Sequence, residues 1–299
     1  MTHSFWIILD KPYGMTSNRA LSKVKRLFGL RKAGFSGTLD PLATGVLPIA
    51  FGEALKTMHY MTFSKKAYTF QVRWGQETTT ADREGEVIQT SSIRPTFEQI
   101  QHILPQFTGQ ITQTPPIYSA IKVDGKRAYD LARQNVEVKL KERMVTIYDL
   151  QLISIDDEDH AAFAVECSAG TYIRSLGVDL AKALGTVAHL SQLRRTSVGC
   201  FSLETSISLE YLGEIVHTDA ILAYKHSLGI GLDDILAVSI TEDDYTNAKL
   251  GRRIPCALHL EEEALVGMWV EGDFAGFAVF KEGGLSPKRL VHRGAVINN

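Results

Sequence analysis

The stretch AYTFQVRWG, residues 67–75, alternates apolar and polar side chains along its whole length. Successive side chains of a β-strand point to opposite faces, so this alternation predicts a strand that is buried on one face only. Four large side chains share that buried face: Tyr68, Phe70, Val72 and Trp74. A half-buried strand needs a sheet and other elements to cover it. The chain is therefore expected to fold around a sheet, with Tyr68 at the head of the strand's apolar face.

Extended and helical patterns alternate along the rest of the chain, with no internal repeat and no low-complexity tract. The segment SFWIILDKP predicts a strand that ends near Lys11, and Ser17 is predicted to cap the following helix. Further segments are expected as helices near 52–61, 97–107, 126–135 and 171–185, and as strands near 117–123, 144–155, 161–170 and 188–199. Short strands with glycine turns follow residue 232 and predict a small β-rich domain.

The predicted helix TYIRSLGVDLAKALG carries an arginine in an unusual place. Its apolar stripe contains Ile173, Leu176, Leu180 and Leu184, and Gly185 is expected to end it. Arg174 lies off this stripe, in the first turn. A cation near a helix N-terminus opposes the helix dipole, so helix stability alone does not account for it. Arg174 is therefore expected to have an anionic partner.

Length and composition suit a globular protein with one large and one small domain, since the chain has 299 residues, 44% of them hydrophobic. Its three cysteines, Cys167, Cys200 and Cys256, are widely separated and form no C-x-x-C pair, which argues against a disulfide scaffold or a zinc site. The early apolar run FWIIL is too short for a signal sequence, and no apolar stretch is long enough to span a membrane. We therefore expect a cytoplasmic protein.

The charge of the chain is unevenly distributed. Residues 1–150 hold 20 Lys and Arg against 13 Asp and Glu, whereas the remainder holds 12 against 21, although the whole chain has a net charge of −2. Each basic cluster taken alone is typical of a solvated surface. Their concentration in one half favours a phosphate-rich ligand.

The segment GFSGTLDPLATGVLP, residues 34–48, contains a single carboxylate, Asp40. An Asp-Pro pair is commonly a turn or a helix cap. Here, however, Gly37 and Gly45 permit close backbone approach, and Leu39 and Leu42 would place the acid against an apolar wall. A glycosidase-type pair lacks a second acid in a comparable setting, and a metal site lacks clustered ligands. What remains is one carboxylate acting as nucleophile or base, kept ionised by a cation.

Six blocks of the sequence resemble the TruB family of tRNA pseudouridine synthases and occur in the family's order. They are LDKPYGMTSN (9–18), GTLDPLATGVLP (37–48), KAYTFQVRWGQETTTAD (66–82), TPPIYSAIKVDGKRAYDLAR (114–133), CSAGTYIRSLGVDLAKALG (167–185) and AHLSQLRRTSVG (188–199). The resemblance implies an α+β catalytic domain over 1–232, with a mixed, largely antiparallel sheet flanked by helices and loops. It also implies an RNA-binding insertion at about 117–143 and, more loosely, a PUA-like RNA-binding domain over 233–299.

The activity that the resemblance implies is isomerisation of uridine 55 in the tRNA T loop to pseudouridine, with no cofactor and no metal. Asp40 would be the essential carboxylate, and whether it attacks the sugar, attacks the base or abstracts a proton stays open. Arg174 would pair with Asp40 through a bidentate guanidinium. Tyr68 would stack on the flipped uracil, and its hydroxyl would assist proton removal.

Further site residues follow from the same resemblance: Tyr172 and Leu193 would line the pocket, and Lys11 would support it from a neighbouring strand. The family usually has histidine where this chain has Phe35, which removes a hydrogen-bonding group but keeps an aromatic plane. The implied partner is the T arm of tRNA, bound by a monomer. The alternative is a non-catalytic RNA-binding protein that keeps the fold and assists tRNA folding.

Overall fold

The structure, a computed structural model, describes residues 4–119, 121–123, 125–128 and 140–292. Its larger sheet has ten strands in the order β14-β1-β3-β12-β4-β11-β10-β7, with β2 paired to β3 and β13 to β12. These strands are β1 (Phe5–Lys11), β2 (Ala33–Phe35), β3 (Thr44–Phe51), β4 (Lys66–Trp74), β7 (Gly109–Gln113), β10 (Arg143–Ile155), β11 (His160–Cys167), β12 (Ala188–Val198), β13 (Phe201–Ser202) and β14 (Ile207–Ser208). Among the described strands of this sheet, only the β1–β14 and β3–β12 pairs are parallel, which confirms the expected mixed, largely antiparallel sheet.

Strand β4 lies in the middle of this sheet, between β11 and β12. Its buried and half-buried residues alternate without a break from Lys66 to Trp74, which confirms the pattern expected from the sequence. The buried face packs into the main hydrophobic core, together with Leu176 and Leu180 of the helix Ile173–Ala183. Tyr68 therefore lies on the strand face that shares the main core with this helix.

The helices of the described chain are α1 (Ser17–Phe28), α2 (Met58–Phe63), α3 (Phe97–Ile103), α4 (Ile173–Ala183), α5 (Leu209–Ile215) and α6 (Glu242–Lys249). The helix expected near 52–61 is split into a 3₁₀ turn, Gly52–Lys56, and α2. The prediction that Ser17 caps α1 was wrong, because Thr16 is the N-cap and its side chain accepts a hydrogen bond from the Arg19 amide. Ser17 is the first helical residue, and its hydroxyl bonds the backbone of Leu39 instead.

Two short hairpins lie outside the larger sheet, and one belongs to the expected RNA-binding insertion at 117–143. Strands β5 (Gln76–Thr78) and β6 (Val87–Thr90) form the first, and β8 (Lys122–Val123) and β9 (Lys126–Arg127) form the second. The helix expected at 126–135 falls mostly on residues 129–139, which lie outside the described residues.

A second sheet follows residue 232 and has five strands in the order β15-β17-β18-β19-β16. They are β15 (Leu236–Ser239), β16 (Ile254–Pro255), β17 (Leu265–Val270), β18 (Asp273–Lys281) and β19 (Gly284–Leu290). This sheet has its own hydrophobic core, as the expected β-rich domain requires. The domain boundary at 232/233 stays a prediction.

Contacts join this second sheet to the rest of the chain. The ring of Tyr60 on α2 packs on Phe277 of β18, with 4.4 Å between the ring centroids. Beside them, Lys56 Nζ donates to Glu53 Oε2 and to the Leu290 carbonyl, each at 2.6 Å, and Glu53 Oε2 also accepts from the His292 amide at 3.0 Å. A buried carboxylate therefore ties the two parts together.

Candidate functional site

Asp40 lies in the loop between β2 and β3, and this loop is held at several points. The Ser17 hydroxyl donates to the Leu39 carbonyl at 2.9 Å and accepts from the Leu39 amide at 2.8 Å. Leu39 and Leu42 are both buried, as the sequence led us to expect. Gly37 has a φ of +71°, a conformation that favours glycine. The backbone on either side of Asp40 is thus fixed before any substrate binds.

Lys11 supports the same loop from the end of β1. Its side chain is fully buried, and Nζ donates to the carbonyls of Pro12, Met15 and Pro41 at 3.0, 2.6 and 3.4 Å. Burial lowers the pKa of Lys11 to about 8, although the charge of Asp40 acts in the opposite direction. Within the described residues Lys11 has no ion-pair partner at contact distance, so its direct contacts are to backbone.

Arg174 faces Asp40 from the first turn of α4. Its Nε lies 3.0 Å from Asp40 Oδ2, and its side chain is only 4% exposed. The other nitrogens bind elsewhere: NH1 donates to the Thr80 carbonyl at 2.8 Å and lies 3.4 Å from Asp82 Oδ2, while NH2 donates to the Tyr118 carbonyl at 2.7 Å. The expected ion pair is present, but the expected bidentate hydrogen bonding is not, because within the described residues the hydrogen bonds of the guanidinium go to the Thr80 and Tyr118 carbonyls.

The environment of Asp40 affects the proton affinity of its carboxyl. Burial raises the pKa of Asp40 above its ordinary value, and the nearby charge of Asp82 acts in the same direction. The charges of Arg174 and Lys11 act against this rise. The side chain keeps 36% of its surface exposed. Asp40 is therefore an acid that is confined on one side by a cation and open to a ligand on the other.

Tyr68 and Leu193 lie on neighbouring strands, β4 and β12, and both are buried at the margin of the main core. Tyr68 pairs with Arg195 across the strands, and Leu193 pairs with Phe70. Burial raises the pKa of Tyr68, and the charge of Asp40 adds to the rise. Tyr68 therefore lies within electrostatic range of Asp40, with Leu193 on the adjoining strand.

Tyr172 immediately precedes α4 and is half-buried. The side chain of Gln113 holds its backbone from both sides, accepting from the Tyr172 amide at 2.7 Å and donating to its carbonyl at 2.9 Å. The Arg143 guanidinium lies 5.4 Å from the centroid of the Tyr172 ring. The same turn of chain thus presents both Tyr172 and Arg174.

Phe35 lies at the end of β2, where it pairs with Ile49, and its half-buried ring packs against the main core. It precedes Asp40 by five positions in the sequence. Part of this ring therefore packs against the core, and part faces solvent near the loop that carries Asp40.

Two residues that hold the site in place, Asp82 and Arg195, had no role predicted from the sequence. Asp82 is 2% exposed, and its Oδ1 accepts from the Thr80 hydroxyl at 2.6 Å and the Glu84 amide at 3.0 Å, which aims Oδ2 at Arg174. Arg195 is 1% exposed and binds the loop of Asp40 from β12. Both residues fall inside blocks that carry the family resemblance, KAYTFQVRWGQETTTAD and AHLSQLRRTSVG, and that position was their only signal.

Among the described residues, no group of three or more His, Cys, Asp or Glu side chains is arranged to hold a metal ion. The same residues include no helix that is long and apolar enough to cross a membrane.

Two family models together match residues 25–237 of the chain. Residues 25–173 match the TruB family pseudouridylate synthase N-terminal domain, and residues 174–237 match the tRNA pseudouridylate synthase B C-terminal domain. The tRNA pseudouridine synthase B of Caulobacter vibrioides is 49% identical over 84% of this chain and 81% of its own. That of Brucella anthropi is 40% identical over 97% of this chain and 96% of its own.

Solved structures show the same fold at lower identity. A Cbf5-Nop10-Gar1 complex matches with a TM-score of 0.73 and 24% identity, covering 96% of this chain and 84% of that chain. An H/ACA RNP bound to a substrate RNA containing 2′-deoxyuridine matches with the same TM-score of 0.73 and 22% identity, again over 96% and 84%. Taken together with the two family domains and with relatives that are 40–49% identical over most of the chain, this shows that the chain belongs to the TruB family of tRNA pseudouridine synthases.

Proposed function

We propose that this enzyme converts uridine 55, in the T loop of tRNA, to pseudouridine, with Asp40 as the essential carboxylate. In this isomerisation the bond between N1 and C1′ breaks, the uracil turns, and C5 bonds to C1′; C5 loses a proton and N1 gains one, so the composition is unchanged. The observation that carries the proposal is the ion pair of half-exposed Asp40 with buried Arg174, 3.0 Å apart. A carboxylate held in this way supplies one nucleophile or base at a fixed position.

Arg174 orients Asp40 and opposes the effect of burial on its pKa. A cation beside the carboxylate favours the ionised form, which a nucleophile or a base requires. Asp82 holds the far side of the guanidinium and thereby limits how closely Arg174 associates with Asp40. Lys11 acts through the backbone, by fixing the carbonyl of Pro41.

The flipped uracil would bind against Tyr68, Tyr172 and Leu193. A base inside a folded loop is out of reach of a carboxylate, so it must be extruded at a cost of a few kcal/mol. Stacking on an aromatic ring returns about 1–3 kcal/mol per base. Phe35 would stack on the T loop as the uridine leaves, in place of the family's histidine.

The wider RNA contacts follow from charge and domain position. The excess of cations in residues 1–150, including those of the insertion at 117–143, would bind tRNA phosphates. Residues 233–299 would act as a docking domain for the same tRNA. Asp40, Tyr68 and Arg174 all come from one chain, which supports action as a monomer, and a tRNA substrate supports a cytoplasmic enzyme.

The test is incubation of the purified protein with an unmodified tRNA transcript, without added cofactor, followed by mapping of pseudouridine. We expect product at position 55 and none in a transcript that carries cytidine there. Binding of the transcript without any product would instead support the non-catalytic RNA-binding alternative. The buried Arg174, which contacts both Asp40 and Asp82, favours catalysis, because a protein that only binds RNA does not need it.

A further inference from the structure

Arg195 holds both ends of the segment that carries Asp40. Its Nε donates to the Val46 carbonyl at 2.7 Å, and its NH2 donates to the Gly37 carbonyl at 2.9 Å. These two carbonyls lie on either side of Asp40 in sequence. One planar side chain therefore fixes the width of the loop that presents the carboxylate.

The backbone of Arg195 lies between this loop and the strand of Tyr68. On one edge Arg195 pairs in parallel with Gly45, and on the other it pairs antiparallel with Tyr68. The approach at Gly45 is so close that a side chain there would clash with the Arg195 carbonyl, and Gly45 has a φ of +102°. Arg195 is thus in direct contact with the elements that carry both Asp40 and Tyr68.

The charge of Arg195 is not explained by an acidic partner. In the part of the chain that the structure describes, no carboxylate forms an ion pair with it, although its side chain is fully buried. Burying a lone cation costs several kcal/mol, and two carbonyl groups can be satisfied by neutral donors. Tyr68 lies directly opposite Arg195 on the neighbouring strand, so the two side chains share one face of the sheet, and the hydroxyl and the guanidinium interact by charge.

The position of Tyr68 beside the guanidinium has a consequence for its hydroxyl. A guanidinium has donors and no acceptor, so the Tyr68 oxygen can only accept from it, and the O–H proton must then point away from Arg195. We propose that Arg195 is a positioning residue for the isomerisation, coupling the loop of Asp40 to the orientation of the Tyr68 hydroxyl. This inference rests on the proposed function, in which Asp40 and Tyr68 contact the uridine.

The neighbouring Arg194 provides a matched control. It lies on the same strand, but it is 39% exposed and its NH2 pairs with Asp10 Oδ2 at 2.8 Å. It donates neither to the Gly37 nor to the Val46 carbonyl. Replacing Arg194 therefore changes the same residue type, one position away, without touching the contacts of Arg195.

The experiment measures the single-turnover rate at saturating tRNA transcript, and the tRNA Kd, for Arg195→Lys, Tyr68→Phe, the double variant and Arg194→Lys. We expect Arg195→Lys to lower the rate about 10- to 100-fold with Kd within about threefold, because an ammonium group cannot reproduce the planar fork. In the Tyr68→Phe background the same change should cost at least about fivefold less, since the hydroxyl that it positions is gone. Arg194→Lys should keep the wild-type rate.

Thermal denaturation of each variant accounts for any loss of folded protein. A folded Arg195→Lys variant with a rate within about threefold of wild type would overturn the inference, and so would equal losses with and without the Tyr68 hydroxyl. Asp40→Asn is assayed alongside. A wild-type protein that makes no pseudouridine would refute the proposed function and this inference with it, whereas an active wild type with an unimpaired Arg195→Lys variant refutes the inference alone.

Discussion

Arg174 lies between two carboxylates: its Nε is 3.0 Å from Asp40 Oδ2, and its NH1 is 3.4 Å from Asp82 Oδ2. One buried cation is therefore shared by two acids of unequal exposure, 36% for the Asp40 side chain and 3% for that of Asp82. The open acid is the one proposed to react with the uridine. Among the described residues, the closed acid contacts Arg174 and its own loop, so the carboxylate proposed to react is distinct from the one that binds the far side of Arg174.

Asp40→Asn should abolish turnover while tRNA binding persists. The amide keeps the shape of the side chain but lacks the negative charge that a nucleophile or a base requires. Single-turnover assays with excess enzyme, together with filter binding of the same transcript, measure the two effects separately. The matched control is Asp149→Asn on the exposed part of β10, which should keep the wild-type rate. Activity of Asp40→Asn within tenfold of wild type would contradict the assignment.

Arg174→Lys should reduce the rate far more than the affinity for tRNA. The guanidinium serves Asp40, Asp82 and the carbonyls of Thr80 and Tyr118 in one plane, and a lysine ammonium cannot reach all four. We expect a loss on the order of 100-fold in the saturating rate, with the Kd nearly unchanged. Arg94→Lys, which alters an ion pair to Asp159 elsewhere, serves as the control. An unchanged kcat with a raised KM would count against this role.

The pH dependence of the reaction should report Asp82 as well as Asp40. Burial, followed by the charge of Asp82, raises the pKa of Asp40, so activity should fall on acidification at a pH above the ordinary range of an aspartate. Asp82→Asn removes the like charge beside Asp40, and Asp40 then becomes the one carboxylate of this pair that forms an ion pair with Arg174. The acid limb of the single-turnover rate should therefore move to lower pH, even though the maximal rate falls. A shift to higher pH would show that Asp82 does not act on Asp40 in this way.

The sequence predicted the local elements of the site better than its long-range contacts. The alternation in β4 and the stripe of α4 depend on neighbouring residues, and both were right. The need of Arg174 for an anion was also evident, because a cation in a first helical turn is unfavourable by itself. Its sharing between two carboxylates was not evident. That arrangement depends on Asp82, which is 92 positions away in the chain and reaches Arg174 only through the folding of the sheet.

The N-cap of α1 and the side-chain contacts of Arg195 also depend on long-range contacts that the sequence does not reveal. Thr16 and Ser17 are adjacent hydroxyl residues, and either can cap α1 by local rules. The choice of Thr16 depends on Leu39, whose backbone engages Ser17 from across the fold. Arg195 likewise lies in a strand pattern that gives no sign of which carbonyls its side chain meets. Tertiary partners decide these roles, and periodicity does not reveal them.

Glu53→Gln should destabilise the protein at neutral pH and have less effect in acid. Burial would raise the pKa of Glu53, but the hydrogen bonds from Lys56 and the His292 amide outweigh it and lower the pKa to about 2, from an ordinary 4.5. The stabilisation is therefore fully present above pH 4.5 and is lost as the pH falls toward 2. We expect a cost of about 2–3 kcal/mol at pH 7.

Thermal denaturation of Glu53→Gln at pH 7 and near pH 3 tests this dependence. The difference in Tm from wild type should be several degrees at pH 7 and should shrink at the lower pH. Glu214→Gln, at an exposed position on α5, should show no such trend. A Tm difference that stays constant with pH would show that the contact between Glu53 and the segment after β19 does not depend on the carboxylate charge.

Phe35 has two surfaces, and its variants should affect two measurements. The packed part of the ring contributes to the core beside Ile49, so Phe35→Ala should lower the free energy of unfolding by about 2 kcal/mol, less than the about 3–5 kcal/mol of a fully buried aromatic. The open part would stack on the T loop, so the same variant should lose about 10- to 100-fold in kcat/KM. Phe35→His restores a flat ring and should stay within about threefold of wild type.

Phe28→Ala is the control that separates packing from stacking on RNA. Phe28 is also half-buried and packs on Phe5 and Phe51, with ring centroids 5.2 and 5.1 Å away, but it lies at the far end of α1 from the loop of Asp40. It should lose stability and keep its single-turnover kinetics below its Tm. If Phe35→Ala behaves in the same way, with a lower Tm and wild-type kinetics, then Phe35 only packs, and the tRNA contact must come from other residues of the loop.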